Sequence, residues 1–239
     1  MEQQSEQSEQ SEAGAWGQGR VAAFFDVDKT LLDINSGKSW IARAWRRGEL
    51  PVPALMRSLW WLLKYVFAGD RFDFEDVATQ AAALYAGRSE AALAEDVERW
   101  FESTLSAHIC TQGRERIAYH RDAGHILVLL TSGVRFLAAP LAARLEVEHV
   151  LCTELEVDER GLLTGRHVRP ACGGPGKIFH AERFAAEHGV DLERSFFYTD
   201  SASDIPMLER VGQPRVVNPD GRLLRYARAR GWGYERWTT

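Results

Sequence analysis

Cysteine is scarce in this 239-residue chain: Cys110, Cys152 and Cys172 are an odd number with no CxxC pair. Such a set builds neither a disulfide framework nor a zinc site, and a reducing, cytoplasmic setting is the expectation. Long apolar runs are missing too. The most hydrophobic stretch, positions 55–67, is shorter than the about twenty residues needed to span a bilayer. The seven histidines show no HxxxH or HxH spacing and are read as surface or packing residues. Positive charge is not in excess: 29 Lys and Arg face 34 Asp and Glu, a net charge of −5. Neither this balance nor any recognisable module supports nucleic-acid binding. Finally, the run Gly173-Gly174-Pro175-Gly176-Lys177 fails as a nucleotide P-loop, because Ala171 stands where its first glycine should be and Ile178 where a hydroxyl residue is required.

What is present divides unevenly along the chain. Positions 1–19 hold four Glu and no Lys or Arg, in a Glu/Gln/Ser repeat too polar to offset its ordering entropy, and are expected to be a disordered tail. They lack the basic start and apolar core of a secretory signal. The remainder is nearly neutral, with 29 basic against 30 acidic residues. Five short apolar runs, at 21–25, 125–130, 149–152, 195–198 and 215–217, read as buried strands. Helical spacing follows the second at 135–145 and the third at 177–188, where Gly189 is a C-cap candidate. Strands alternating with helices imply an α/β fold, a Rossmann-like parallel sheet covered by helices on both faces. Segments 155–157 and 162–164 read as a small hairpin beside it. The alternation breaks after the first strand, where helical spacing dominates at 39–47, 54–67, 74–85, 90–105 and 112–121. The expected organisation is a catalytic core from 20–33 and 112–239, interrupted by an α-helical cap at 34–111 with a core of its own.

Ligands of open parallel sheets bind beyond the carboxyl ends of the strands. Here those ends are Asp26-Val27-Asp28-Lys29-Thr30, Thr131-Ser132-Gly133 and Asp200-Ser201-Ala202-Ser203-Asp204. A single Asp-x-Asp is weak evidence, since Asp often caps turns and helices. Three polar clusters on one sheet edge are harder to explain as caps. Gathered carboxylates repel unless a cation sits among them, and hard oxygen donors without His or Cys suit Mg²⁺.

These residues resemble the four motifs of the haloacid-dehalogenase-like phosphatases: Asp26-Val27-Asp28-Lys29-Thr30, then Thr131, then Lys177, then Asp200 to Asp204, with 23 residues from Lys177 to Asp200. The long insertion between the first and second motifs resembles the phosphoserine-phosphatase-like branch with a helical cap. The resemblance implies a Mg²⁺-dependent phosphomonoester hydrolase. Asp26 would attack phosphorus to form an aspartyl-phosphate, and Asp28 would protonate the leaving alcohol and then activate water. Asp26, Asp200 and the backbone carbonyl of Asp28 would hold Mg²⁺. Thr131, Lys177 and the amides around Ser132 and Gly133 would bind the phosphoryl oxygens. Thr30 would bond the Asp26 loop, while Ser203 and Asp204 would support the metal's water shell, Asp204 alternatively orienting Lys177. The second acid, Asp28, favours phosphate over halide chemistry. A phosphotransferase with the same intermediate is the nearest alternative, and a membrane or lipid-phosphate-binding module comes from a different class.

Substrate signals lie in the cap. Positions 38–71 carry seven basic residues and four tryptophans, Trp40, Trp45, Trp60 and Trp61, whereas 73–102 reverse the sign. The favoured explanation packs the aromatics inward and lets the two halves attract; the competing one lays 55–67 in a membrane interface or against an amphiphilic substrate. In the loop after the first motif, the resemblance places Asn35 where an acid that holds a substrate amine is expected. A neutral amide binds ammonium less well, which counts against phosphoserine and leaves Asp33 as the substitute. The cap composition points to a larger or more apolar small-molecule phosphomonoester, of lysophospholipid or sugar type. Oligomeric state is left open.

Overall fold

A computed structural model describes residues 19–49 and 73–239. The expected tail up to position 18, the apolar stretch at 55–67, and Trp60 and Trp61 lie outside the described residues.

The chain begins its sheet with β1 (Ala22–Phe25), whose four side chains are all buried. The described part of the insertion contributes α1 (Ser36–Arg46), α2 (Phe74–Ala83) and α3 (Glu90–Ser103). The chain then returns through α4 (Thr111–Asp122), β2 (Ile126–Val134), α5 (Arg135–Leu145) and β3 (His149–Thr153). A hairpin of β4 (Leu155–Val157) and β5 (Leu163–His167) leads to α6 (Pro175–His188), which ends at left-handed Gly189. β6 (Phe196–Thr199), α7 (Ile205–Arg210), β7 (Gln213–Val217), α8 (Gly221–Arg230) and β8 (Tyr234–Glu235) complete it.

Six strands form one parallel sheet in the order β3-β2-β1-β6-β7-β8. The direction of winding reverses between β1 and β6, and such a switch point opens a crevice at the carboxyl ends of the strands. Alternation along β1 sends Ala23 and Phe25 to one buried face and Ala22 and Phe24 to the other. The Phe24 face is covered by Ala181 and Phe184 of α6 and by Met207 and Leu208 of α7.

Three features of the described residues refine the sequence expectation. In the described part of the insertion, Trp40, Tyr85, Leu93, Val97, Trp100 and Phe101 join the Phe25 face in one continuous cluster. Tyr85 meets Phe136 of α5 edge-on at 5.1 Å. Secondly, the hairpin is bonded to the insertion, with Gly87 N–H donating to Leu163 O at 2.8 Å and Leu163 N–H to Arg88 O at 2.9 Å. Thirdly, β2 continues through Thr131-Ser132-Gly133 with a register shift against β3, so these residues extend the strand rather than follow it. Trp40 packs inward 5.2 Å from Trp100, but Trp45 is exposed. The two halves of the insertion do attract: Arg43 of α1 makes a bidentate pair with Asp96 of α3 at 2.8 and 2.7 Å.

Behind the sheet, His120 is fully buried. Its Nδ1 lies 2.7 Å from His125 Nδ1 and its Nε2 2.9 Å from the Tyr198 hydroxyl. Burial, then His125, Arg116 and Arg215, push it down to about 4. An unfolded histidine takes its proton near pH ~6.5, and this folded one refuses it until lower pH. Its contribution is therefore complete above that value and declines as pH falls toward 4, by on the order of 2 kcal/mol. Urea unfolding at successive pH values should show this slope, and His120→Gln should flatten it. Equal slopes in parent and variant would remove His120 as the cause.

Candidate active site

The switch point receives its acids from the two strands that flank it. β1 and β6 pair with Phe25 opposite Tyr198, and Asp26 N–H continues the ladder to Tyr198 O at 2.9 Å. Asp26 thus ends β1 beside the segment that carries Thr199 into Asp200. The first turn of α6 supplies Lys177, whose Nζ lies 2.7 Å from Asp26 Oδ1 and 2.7 Å from Asp204 Oδ2. All three side chains are almost completely buried.

Close packing, rather than flexibility, explains the glycines before Lys177. A Cβ on Gly176 would sit 1.9 Å from Ala171 O, and one on Gly173 would sit 2.2 Å from the ring of Phe74, at the start of α2. The loop is also tied to the insertion by Glu75 Oε1, which accepts Ala171 N–H at 2.7 Å.

Buried acids crowd this edge. Burial first, then the charge of Asp204 and that of Asp28, pushes Asp26 up to about 7, against the opposing pull of Lys177. Burial, followed by Asp26 and Asp204, pushes Asp200 up to about 8. Burial also raises Asp28, whose Oδ1 accepts the amide of Ser36 at 2.8 Å where α1 begins. Lys177 is held charged: burial alone would lower its proton affinity, but Asp204 and Asp26 more than reverse this.

Thr131 is buried, and its hydroxyl accepts Gly133 N–H at 3.1 Å, which leaves the hydroxyl hydrogen to donate elsewhere. The Gly133 amide is therefore already engaged. Ser132 is exposed, and its carbonyl accepts the Thr153 hydroxyl at 3.1 Å. Three supporting residues have local partners or none at the side chain. Thr30 Oγ1 is buried without a hydrogen-bond partner among the described residues, and Thr30 bonds the Asp26 loop through its backbone, its N–H donating to Val27 O at 3.3 Å beside Leu32 N–H to Val27 O at 2.9 Å. The Ser203 hydroxyl pairs with Ser201 at 2.9 Å on the surface. Asp33, the substitute acid for a substrate amine, is engaged by His108 Nδ1 at 2.7 Å and by the Thr239 hydroxyl at 3.2 Å. Asn35 Oδ1 caps α1 by accepting Lys38 N–H at 2.9 Å.

Sequence reasoning passed over Thr199, which is fully buried and donates to Asp204 Oδ2 at 2.6 Å. A polar residue closing an apolar run immediately before Asp200 was the available signal. Cys172, beside this site, is fully buried, and burial first, with Lys177 opposing and Asp204 and Asp26 assisting, pushes its thiol up to about 12. It is inert at neutral pH.

The haloacid dehalogenase-like hydrolase family model matches residues 23–209. A phosphoserine phosphatase of Mycobacterium tuberculosis is 35% identical over 215 residues, covering 89% of this chain and 69% of that protein. A histidinol-phosphatase of Neisseria meningitidis is 27% identical over 213 residues, covering 88% and 96%. A crystallised protein of unknown function from Bordetella pertussis Tohama I superposes with a TM-score of 0.81 at 30% identity, covering 91% of this chain and 98% of that one. The chain belongs to the haloacid dehalogenase-like hydrolase family, in its phosphoserine-phosphatase-like branch, and is a phosphatase.

Proposed function

We propose that the chain is a Mg²⁺-dependent phosphomonoester hydrolase that works through an aspartyl-phosphate on Asp26. The observation that carries this reading is the convergence of Asp26 and Asp200 from the two sides of the switch point, the charge of Asp26 raising the proton affinity of Asp200, with Lys177 paired to Asp26. Among the described residues no three His, Cys, Asp or Glu side chains form a metal-binding group. The donor set proposed here fits that fact, because it consists of the Asp26 and Asp200 carboxylates and the backbone carbonyl of Asp28. These are hard oxygen donors, and the mutual repulsion of the two acids favours a divalent cation between them. When bound, Mg²⁺ would offset repulsion between the anionic nucleophile and the phosphate.

The remaining chemistry belongs to the chain. A carboxylate oxygen of Asp26 attacks phosphorus, the ester bond breaks, and Asp28 delivers a proton to the departing alcohol. Burial favours the protonated form of Asp28 that this step needs. Asp28, now ionised, removes a proton from water as the water attacks the aspartyl-phosphate, which restores Asp26 and releases phosphate. The ammonium of Lys177 has two hydrogen bonds to carboxylates and a third donor for a phosphoryl oxygen, and the Thr131 hydroxyl supplies another.

The two named relatives carry the names of different phosphomonoesters, which supports the reaction class without choosing a substrate. With Asp33 engaged and Asn35 neutral, the loop after the first motif offers a substrate ammonium no free carboxylate. A larger or more apolar phosphomonoester remains the proposed substrate. In a screen over chemically diverse phosphomonoesters, phosphate release should require Mg²⁺, stop with EDTA, and favour esters without an ammonium group. Phosphate release undiminished by EDTA would overturn the metal assignment, and no release from any aryl or alkyl phosphate would overturn the reading itself.

A further inference from the structure

The turn at Asn218-Pro219-Asp220, directly after β7, touches both aspartate-bearing loops. Asn218 has φ 45°, a left-handed conformation that asparagine tolerates. Its side-chain amide makes three bonds: Nδ2 donates to Lys29 O at 3.2 Å and to Trp237 O at 3.0 Å, while Oδ1 accepts Trp237 N–H at 3.0 Å. Lys29, the residue after Asp28, is itself left-handed at φ 63°. A bulky residue persists in that conformation when its surroundings fix it. Here those are the Asn218 amide, the bond from Lys29 N–H to Ile34 O at 3.1 Å, and the bond from Lys29 Nζ to Asp33 O at 2.8 Å.

Asp220 acts on the other loop. Its amide donates to Asp200 O at 2.9 Å, and its Oδ2 accepts Ala202 N–H at 2.8 Å, so the backbone is held on both sides of Ser201. Its Oδ1 caps α8 through the amides of Arg222 and Leu223, both at 2.8 Å. One oxygen thus stabilises a helix and the other reaches the catalytic edge. Three residues of chain connect the point that fixes Lys29 to the points that fix Asp200 and Ala202.

We propose that Asn218 and Asp220 are positioning residues that lock the Asp26-to-Asp28 loop against the Asp200 loop, so that the acids hold their relative places before substrate arrives. The inference rests on the phosphatase reading for its kinetic consequence. Two variants separate it from plain stabilisation. Asp220→Ser keeps a helix cap but has no second oxygen for Ala202. Asn218→Asp keeps the shape and tolerance of positive φ but cannot donate to Lys29 O. With p-nitrophenyl phosphate as substrate, both should lower kcat and weaken the Mg²⁺ requirement curve by roughly 10–100-fold, KM for the ester changing less. Calorimetric titration of the substrate-free full chain with MgCl₂ should weaken in parallel, while the melting temperature stays within a few degrees of the parent. Unchanged kcat and Mg²⁺ affinity in both variants overturns the proposal. So does a fall in activity that merely follows the fall in melting temperature. If the parent releases no phosphate, the phosphatase reading fails and calorimetry alone decides: weaker Mg²⁺ binding in the variants supports the clamp, whereas equal binding, or none by the parent, overturns it.

Discussion

Replacing Asp26 by Asn should abolish phosphate release, by roughly 10³-fold or more, because an amide oxygen cannot serve as the nucleophile that divides the reaction into two steps. The fold should survive. Asparagine is close in shape to aspartate, and its oxygen can still accept the Lys177 bond now made at 2.7 Å. Stability should rise above neutral pH in the absence of divalent cation, and the sign follows from the direction of the shift. A carboxyl group held near pH 7 by burial and by Asp204 binds its proton more tightly folded than unfolded. Its favourable contribution is present at low pH and is lost as pH rises through that value, where the ionised form stays buried beside Asp204 and Asp200. The amide never ionises. In EDTA at pH 8 the variant should therefore melt at or above the parent temperature, and added Mg²⁺ should raise the parent more than the variant. Full activity in Asp26→Asn would sink the mechanism, and a Mg²⁺ stabilisation equal in both proteins would take Asp26 out of the cation site.

Legibility in the sequence tracked the kind of signal each residue leaves. Buried strands were visible because side chains such as Phe24 and Phe25 are apolar on both faces and then stop abruptly at Asp26. The alternation of strand and helix carried the fold class, and a run such as 135–145 coincided with α5. Strand order was not readable, since pairing partners such as Phe25 and Tyr198 are far apart along the chain. β8 is two residues long, too short for any period to show. Within the site, acids that close apolar runs, such as Asp26, leave a plain signal, and the Thr199 hydroxyl leaves a weaker one that was passed over. Contacts to main-chain groups leave none: the Ser36 amide serves Asp28, and Asp220 serves Asp200 and Ala202 from a position that reads as an ordinary helix cap. Asp33 and Asn35 show the opposite limit. Their side chains looked available for a substrate, and local partners occupy them.

Lys177 separates structural from chemical roles most sharply, because it is buried between Asp26 and Asp204 with 2.7 Å bonds to each. Lys177→Met fills similar space and leaves both carboxylates without their cation. Removing one member of a buried ionic set costs about 3–5 kcal/mol, chiefly as the penalty on the charges left behind. The loss should be largest at pH 8, and it should shrink toward pH 5 as the remaining acids bind protons that the folded state now favours more strongly. Activity should vanish for two reasons at once, the lost phosphoryl contact and the misplaced Asp26. Pairing the change with Asp204→Asn tells these apart. Asparagine at 204 can still accept the Thr199 hydroxyl that Asp204 now accepts at 2.6 Å, and one buried charge disappears. The double variant should regain a large part of the unfolding free energy, measured by urea titration, and yet release no phosphate. If Lys177→Met alone were as stable as the parent at pH 8, the buried ion network would not be holding this edge together. If the double variant recovered activity along with stability, Lys177 would be a brace for the fold with no part in binding phosphate.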